Sequence, residues 1–284
     1  MLKFVVLFAL CAVALGTPVE QAHAEHAVEH DVENFVMGGA NAAEGQFPWT
    51  ASVRVQNNFC MGVILNENHV LTSAGCVTED DRAINHFWVR VLAGDLHVTG
   101  SNMNRVERTL SHLFIHDQYN HITTANNLAV GRFSTPIQMP HNTIEGAILN
   151  SRIIPVATQL EFAGWQIPLG TDAQRLLRWF SMPTLTNAVC NTPPANANIN
   201  LQNMFCCGQL TPAPTQSPCN GNFGAGIYLN RVLVGIYHRG LTCNGANNPP
   251  IFMDVRFYLP WINQTFVRTD VTAPGTVFPR TPVT

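Results

Sequence analysis

The chain has 284 residues, of which 46% are hydrophobic and 12% are charged, and its formal net charge is −3. This much apolar sequence is enough to bury a core in one large or two moderate domains, which excludes a disordered chain. The small negative charge argues against nucleic acid or an anionic membrane as a partner.

The first segment has the pattern of an export signal. Residues 1–16 contain Lys3, an unbroken apolar run and small residues at the end. Such a segment is too short to cross a bilayer and predicts a secretory signal peptide. No later stretch is long and apolar enough for a membrane helix. The sequence therefore predicts a secreted, extracellular protein without a membrane span.

Residues 17–35 form an acidic, histidine-containing leader. His23, His26 and His30 are spaced so that they would lie near one face of a helix. Zinc binding is one interpretation of this spacing, and a solvated, removable leader is the other. We favour the second, and we expect neither a metal nor a cofactor.

Short apolar runs separated by turn residues follow the leader. They lie at 49–56, 61–65, 70–72, 87–92 and 104–116. Many short strands at such spacing predict an antiparallel sandwich or barrel. Helical periodicity is found at 258–267, which predicts a closing helix. Residues 268–284 contain glycine and several prolines and predict a flexible tail.

Four motifs carry a resemblance to a known family. Pro218–Gly226 resembles the nucleophile loop of the trypsin/chymotrypsin serine proteases, Cys-x-Gly-Asp-Ser-Gly-Gly-Pro, and Val36–Gly39 resembles their mature amino terminus. Thr72–Cys76 and Asn126–Val130 resemble the family's Thr-Ala-Ala-His-Cys and Asn-Asp-Ile-Ala-Leu. The resemblance covers residues 36–267. It implies an all-β fold of two antiparallel six-stranded barrels, about 36–146 and 147–267, with a cleft between them and a C-terminal helix.

Three residues stand where the family carries its catalytic triad. Gly75 replaces the histidine, Asn127 replaces the aspartate and Phe223 replaces the serine. A bare backbone cannot accept a proton, an amide cannot stabilise an imidazolium and a phenyl ring cannot attack a carbonyl. The resemblance therefore implies a catalytically inactive homologue, similar to secreted arthropod pseudoproteases, and predicts that the chain is no enzyme.

An active serine-type peptidase with a displaced site is the alternative. The side chains that could supply one are Ser73, Ser217, His116, His121 and His238. A nucleophile, a base and an orienting group must meet at hydrogen-bonding distance, which the sequence cannot show. Gly221 matches the glycine of the family's oxyanion hole, and we interpret it as needed for its backbone conformation.

The resemblance also marks positions for activation and specificity. Asn222 replaces the aspartate that pairs with the new amino terminus after cleavage in the family, so the activation ion pair is lost. Phe35 stands where the family has a basic residue before the cut, so tryptic activation is not specified, and cleavage after Phe35 by a chymotrypsin-like enzyme is the open alternative. The specificity-pocket positions are Ser217, His238, Arg239, Gly240 and Ile251. We expect Ile251 and the Phe223 ring to fill that pocket.

Loss of Cys11 with the signal peptide leaves seven of the eight cysteines, which implies disulfides plus one odd thiol in an oxidising compartment. The resemblance implies the bridges Cys60–Cys76, Cys190–Cys206 and Cys219–Cys243. Cys207 is then unpaired, either as a buried thiol or as the link of a disulfide-bonded dimer. Asn263 begins an N-glycosylation sequon.

These observations predict a secreted binding protein, an adaptor or regulator in an extracellular protease cascade or in innate immunity. Its partner would be a secreted protein, such as an active protease or the substrate of one. A structural or abundant secreted component is a further alternative.

Overall fold

The computed structural model describes residues 36–56, 58–98, 102–165, 176–191, 202–209, 215–219, 221–240 and 249–279. The predicted signal peptide, the histidine leader with its zinc interpretation, and Cys243 lie outside the described residues.

The first half of the chain is built from short strands. In order they are β1 (Val36–Met37), β2 (Ala40–Asn41), β3 (Thr50–Val55), β4 (Asn58–Asn66), β5 (His69–Thr72), β6 (Thr78–Glu79), β7 (Arg82–Ala83), β8 (Val89–Ala93), β9 (Val106–Ile115) and β10 (Ala129–Phe133). Short 3₁₀ helices lie at Ala74–Val77 and His86–Trp88. Each of the five predicted strand regions overlaps one of these strands.

The second half adds eight strands and two α-helices. The strands are β11 (Ile148–Leu149), β12 (Gln159–Trp165), β13 (Leu177–Pro183), β14 (Met204–Cys206), β15 (Ser217–Pro218), β16 (Gly226–Leu229), β17 (Val232–Arg239) and β18 (Ile251–Asp254). The helices are α1 (Asn187–Cys190) and α2 (Val255–Thr265). The closing helix is thus confirmed. It begins three residues before the predicted start because the Asp254 side chain caps it by accepting a hydrogen bond from Arg256 N.

The strands form a closed barrel and a larger sheet. The barrel has the order β10-β5-β4-β3-β8-β9, and all of its pairs are antiparallel. The sheet has the order β14-β18-β17-β16-β12-β13-β2, with β11 pairing β17 in parallel. A mostly β, chymotrypsin-like fold with a C-terminal helix is therefore confirmed. The predicted second six-stranded barrel is, among the described residues, an eight-stranded sheet.

One hydrophobic cluster fills the barrel, and a second lies between barrel and sheet. Phe223, in the turn before β16, packs against both clusters. The same turn is fastened to the barrel because Met61 N donates to Phe223 O over 2.8 Å. Gly224 follows at a φ of +87°, and an added Cβ would lie 2.1 Å from Met61 O. Only glycine fits that close approach.

The chain after α2 differs from the predicted flexible tail. Thr272 N donates to Leu113 O over 2.8 Å, and Gly275 N donates to Ala83 O over 2.7 Å. Phe278 is buried and packs edge-on against Tyr119, with ring centroids 5.4 Å apart. The composition favoured a loop, but backbone hydrogen bonds to the barrel and one buried ring hold this segment as far as residue 279. We call residues 272–279 the strap.

No helix in the described ranges is long and apolar enough to span a membrane.

We predict that the strap contributes to stability. Phe278→Ala removes a buried ring and should lower the free energy of unfolding by about 2–4 kcal/mol, measured by urea denaturation. Val277→Ala is the matched control, since Val277 is 57% exposed. Equal effects from the two substitutions would show that the strap does not pack as described.

Candidate functional site

Gly75, Asn127 and Phe223, which are far apart in sequence, line one cavity of about 330 Å³. Gly75 lies in the 3₁₀ helix after β5, and Asn127 lies two residues before β10. Because β5 and β10 pair in the barrel, with Thr72 opposite Ala129, these two residues come together. The turn that carries Phe223 closes the cavity from the other side.

A hydrogen bond fixes the orientation of the Asn127 amide. Gly75 N donates to Asn127 Oδ1 over 2.8 Å. The amide oxygen is therefore the group that faces Gly75, and the Asn127 Nδ2 group points the other way. There it lies 3.0 Å from His238 Nδ1.

This orientation determines the tautomer of His238. Nδ2 of Asn127 is a donor, so His238 Nδ1 must accept, and the ring proton lies on Nε2. Nε2 then donates to Thr124 Oγ1 over 3.1 Å. The Thr124 hydroxyl in turn donates to Thr123 O over 2.7 Å. All the donors in this chain of four hydrogen bonds point in the same direction, from Gly75 to Thr123.

The direction of the chain bears on proton transfer. A catalytic imidazole accepts the proton of a hydroxyl through Nε2 while it donates from Nδ1. In this structure His238 donates from Nε2 and accepts at Nδ1, so its lone pair does not face the Thr124 hydroxyl. Burial, with a smaller contribution from Arg239, lowers the pKa of His238 to about 3. The imidazole is therefore neutral at physiological pH.

The Phe223 ring stacks on Tyr237, with centroids 5.9 Å apart and planes 12° apart. Tyr237 is fully buried, and its Oη lies 2.7 Å from where a Cβ on Gly240 would be. The resemblance implied that Ile251 and the Phe223 ring fill the specificity pocket, and the residue that stacks on Phe223 is Tyr237. Ile251 is buried in β18, opposite Cys206.

Three of the remaining predicted site residues line the cavity, and a fourth lies in β15. Ser73, His238 and Arg239 line the cavity. Ser217 is buried in β15, where it pairs with Met37 and donates to Pro218 O.

Two other predicted imidazoles are not among the described residues that line the cavity. His116 packs against Tyr258 and Trp261, and His121 N donates to Pro279 O in the strap.

Two further positions support the loop around Phe223. Asn222 is fully buried, and an added Cβ on Gly164 would lie 2.5 Å from its Oδ1. Gly221 has a φ of +95°, a conformation that favours glycine. Backbone geometry thus accounts for this glycine, as we interpreted it.

Sequence reasoning missed three residues that line the cavity, Tyr119, Ile122 and Thr124. They lie in the loop between β9 and β10, where Asn120 Oδ1 accepts from Ile122 N over 3.0 Å and from Thr123 N over 2.8 Å. Asparagine at position 120 was the available turn signal. Nothing in the sequence indicated that the loop would reach the cavity.

Two disulfides are formed, Cys60–Cys76 and Cys190–Cys206. Cys219 is also disulfide-bonded, and its expected partner Cys243 lies outside the described residues. Cys207 is a free, fully buried thiol. This burial supports the buried-thiol interpretation over the disulfide-linked dimer, because a buried sulfur cannot reach a second folded chain.

Asn263 is exposed on α2, but the hydroxyl of Thr265 in its sequon is buried and donates to Ile262 O over 2.7 Å. Glycosylation at this site would have to precede the folding of α2.

The comparisons with known proteins identify the class of this chain. A sequence profile of the Trypsin family matches residues 36–262, more than half of the chain, so the protein belongs to the trypsin family of serine proteases.

Its relatives include arthropod trypsins. Trypsin Blo t 3 of Blomia tropicalis is 27% identical over 92% of this chain and 97% of its own length. A trypsin of Phaedon cochleariae is 25% identical over 93% of this chain and 98% of its own length. Trypsin Tyr p 3.0101 of Tyrophagus putrescentiae is 26% identical over 80% of this chain and 79% of its own length.

These comparisons contradict the prediction that the chain is no enzyme. The relatives that match most of the chain are named trypsins, which points to a serine protease. The prediction gave the three replaced positions more weight than the alternative of a displaced site built from other side chains. Because the cavity also contains the Ser73 and Thr124 hydroxyls and the His238 imidazole, the identities of Gly75, Asn127 and Phe223 are not sufficient for that conclusion.

We predict that His238 makes stability depend on pH. Its folded pKa lies below its unfolded value, so its contribution is complete above about pH 6.5 and is lost as the pH falls toward 3. Removal of this group by His238→Gln should reduce the slope of unfolding free energy against pH by up to about 1.4 kcal/mol per unit in that window. Urea denaturation at pH 7, 5.5 and 4 measures the slope. Parallel curves for wild type and variant would contradict the buried neutral imidazole.

We predict that Cys207 is unreactive in the folded protein. Burial raises the pKa of its thiol well above the ordinary value, and no solvent reaches the sulfur. Iodoacetamide should leave the native chain unmodified and should label one cysteine in guanidinium without reductant. Native labelling, or a dimer on a non-reducing gel that Cys207→Ser abolishes, would contradict this placement.

Proposed function

We propose that this chain is a secreted member of the trypsin family that acts by binding another secreted protein, as an adaptor or regulator in an extracellular protease cascade or in innate immunity. The disulfide-bonded domain and the family support an extracellular location. The partner class is an active protease or the substrate of one.

The observation that carries this proposal is a cavity whose walls are held by internal contacts and whose edge exposes Ile122. Asn127, His238 and Thr124 bond to one another, and Phe223 stacks on Tyr237, so the walls are fixed by internal contacts. Ile122, at the edge of the cavity, is 58% exposed. A surface that is already ordered loses little conformational entropy on binding, and an exposed apolar side chain supplies contact area.

The loop that carries Ile122 is pre-formed as well. Asn120 accepts two backbone hydrogen bonds within it, and Thr124 and Asn126 adopt positive φ values of 54° and 53°. The Asn126 side chain donates to Gln118 O over 2.9 Å and accepts from Tyr258 Oη over 3.0 Å. These contacts tie the loop to α2 and present Ile122 in one position.

The second candidate function is serine-type peptidase activity, and the names of the relatives favour it. The aliphatic hydroxyls among the residues that line the cavity are those of Ser73 and Thr124, with His238 as the adjacent imidazole. For His238 to act as a base, the Asn127 amide would have to rotate, which would reverse the two hydrogen bonds of His238 and break the bond that Gly75 N donates to Asn127 Oδ1. A structural or abundant secreted component is a third possibility, and self-association would support it.

We predict that the exposed Ile122 side chain contributes to partner binding. Ile122→Asp should weaken capture of the partner protease, or of its substrate, at least tenfold because it places a carboxylate in an apolar contact. Ile148→Asp is the matched control, since Ile148 is 67% exposed and lies away from the cavity. It pairs with Val232 at the start of β17, whereas His238 of the cavity lies near the end of that strand. Immobilised protein is exposed to the fluid into which it is secreted. Bound proteins are identified by mass spectrometry, and their affinities are then measured singly.

The same preparation, cleaved after Phe35, is assayed against peptide and ester substrates. Turnover that Ser73→Ala or Thr124→Ala abolishes would support the peptidase. Equal capture by the two isoleucine variants, or no stoichiometric protein partner, would overturn the proposed binding role.

A further inference from the structure

The cavity beside Gly75 has room for a ligand of its own. It measures about 330 Å³, at the lower end of the range for small-molecule pockets. An added Cβ on Gly75 would meet no atom closer than 3.6 Å, the distance to Tyr119 Oη. The absence of a side chain at position 75 therefore leaves usable space.

The wall of this cavity is largely apolar. Phe223 and Ile122 contribute side chains, and the Cys60–Cys76 disulfide adds its sulfur atoms. Asn127, His238 and Thr124 also line it, but their hydrogen-bonding atoms are used in the chain that starts at Gly75. Such a wall favours a ring or a branched alkyl group over a sugar or a phosphate.

Arg239 adds a charge to this apolar wall. Among the described residues that line the cavity, it carries the only formal charge. Its side chain is half-buried, and desolvation lowers the pKa of its guanidinium. A carboxylate beside a partly desolvated guanidinium forms a strong, charge-assisted hydrogen bond.

We propose that this cavity binds a small aromatic carboxylic acid, with its ring against Phe223 and its carboxylate toward Arg239. The size of the cavity limits the ligand to about one or two rings. This site goes beyond the proposed function, because it requires no protein partner and no turnover.

The test uses the full folded chain and three probes. Phenylacetate carries both the ring and the charge, 2-phenylethanol lacks the charge and acetate lacks the ring. Saturation-transfer NMR and calorimetry should show phenylacetate binding with a Kd of roughly 1 mM or tighter. The alcohol should bind at least tenfold more weakly, and acetate should not bind.

Variants locate the site. Gly75→Leu fills the cavity and should abolish phenylacetate binding, and Arg239→Gln should weaken it at least tenfold. Arg231→Gln is the control, since Arg231 is an exposed arginine that pairs with Glu145. Circular dichroism verifies that each variant is folded. If Gly75→Leu does not fold, the affinities of the wild type for phenylacetate and for 2-phenylethanol still test whether the site prefers a carboxylate.

Absence of phenylacetate binding at 10 mM, equal affinity for the alcohol, or unchanged binding by the folded Gly75→Leu variant would overturn the proposal. None of these results depends on whether a protein partner is found.

Discussion

The hydrogen bond from Gly75 N to Asn127 Oδ1 determines the chemistry of the cavity. It places the Nδ2 group of Asn127 toward His238, so the imidazole must accept at Nδ1 and donate from Nε2. A carboxylate at position 127 would accept from His238 Nδ1 and would leave Nε2 free to accept the proton of a hydroxyl. An amide in place of a carboxylate thus reverses the two hydrogen bonds that His238 makes, because an amide has a donor end and a carboxylate has none; Gly75 N donates in either case.

The barrel and the sheet hold this arrangement in place through contacts around Phe223. Met61 N donates to Phe223 O, and Gly224 allows the turn to lie directly against β4. Arg132, in β10, donates to the carbonyl oxygens at the end of α2, including Thr265 O over 3.0 Å. A guanidinium satisfies carbonyl groups that a helix end leaves without partners. These contacts position β10, and with it Asn127, relative to the sheet.

The sequence predicted most of the fold because its signals are spread over many residues. Alternating runs predicted the strands, and periodicity at 258–267 predicted α2. The convergence of Gly75, Asn127 and Phe223 was implied by the resemblance to the trypsin/chymotrypsin serine proteases and not by composition or periodicity. The role of Tyr237 and the reach of the Thr124 loop could not be predicted, since both depend on where loops pack. The strap shows the same limit, because its composition favours a loop while its position is set by hydrogen bonds to the barrel and by one buried ring.

Similarity to the relatives gives information about the fold, whereas the geometry of the cavity gives information about the chemistry. The Trypsin family profile over residues 36–262 establishes the family although the relatives are only 25–27% identical, because the fold depends on many buried positions that tolerate apolar exchanges. Chemistry depends on a few atoms, and a single exchange between an acid and its amide changes which atom carries a proton. The name of a relative therefore identifies a reaction class, whereas the direction of hydrogen bonds around His238 identifies what the imidazole can do. A functional assignment for this chain has to satisfy both, and the rotation of one amide at Asn127 is the structural difference between an imidazole that donates to Thr124 and one that accepts from it.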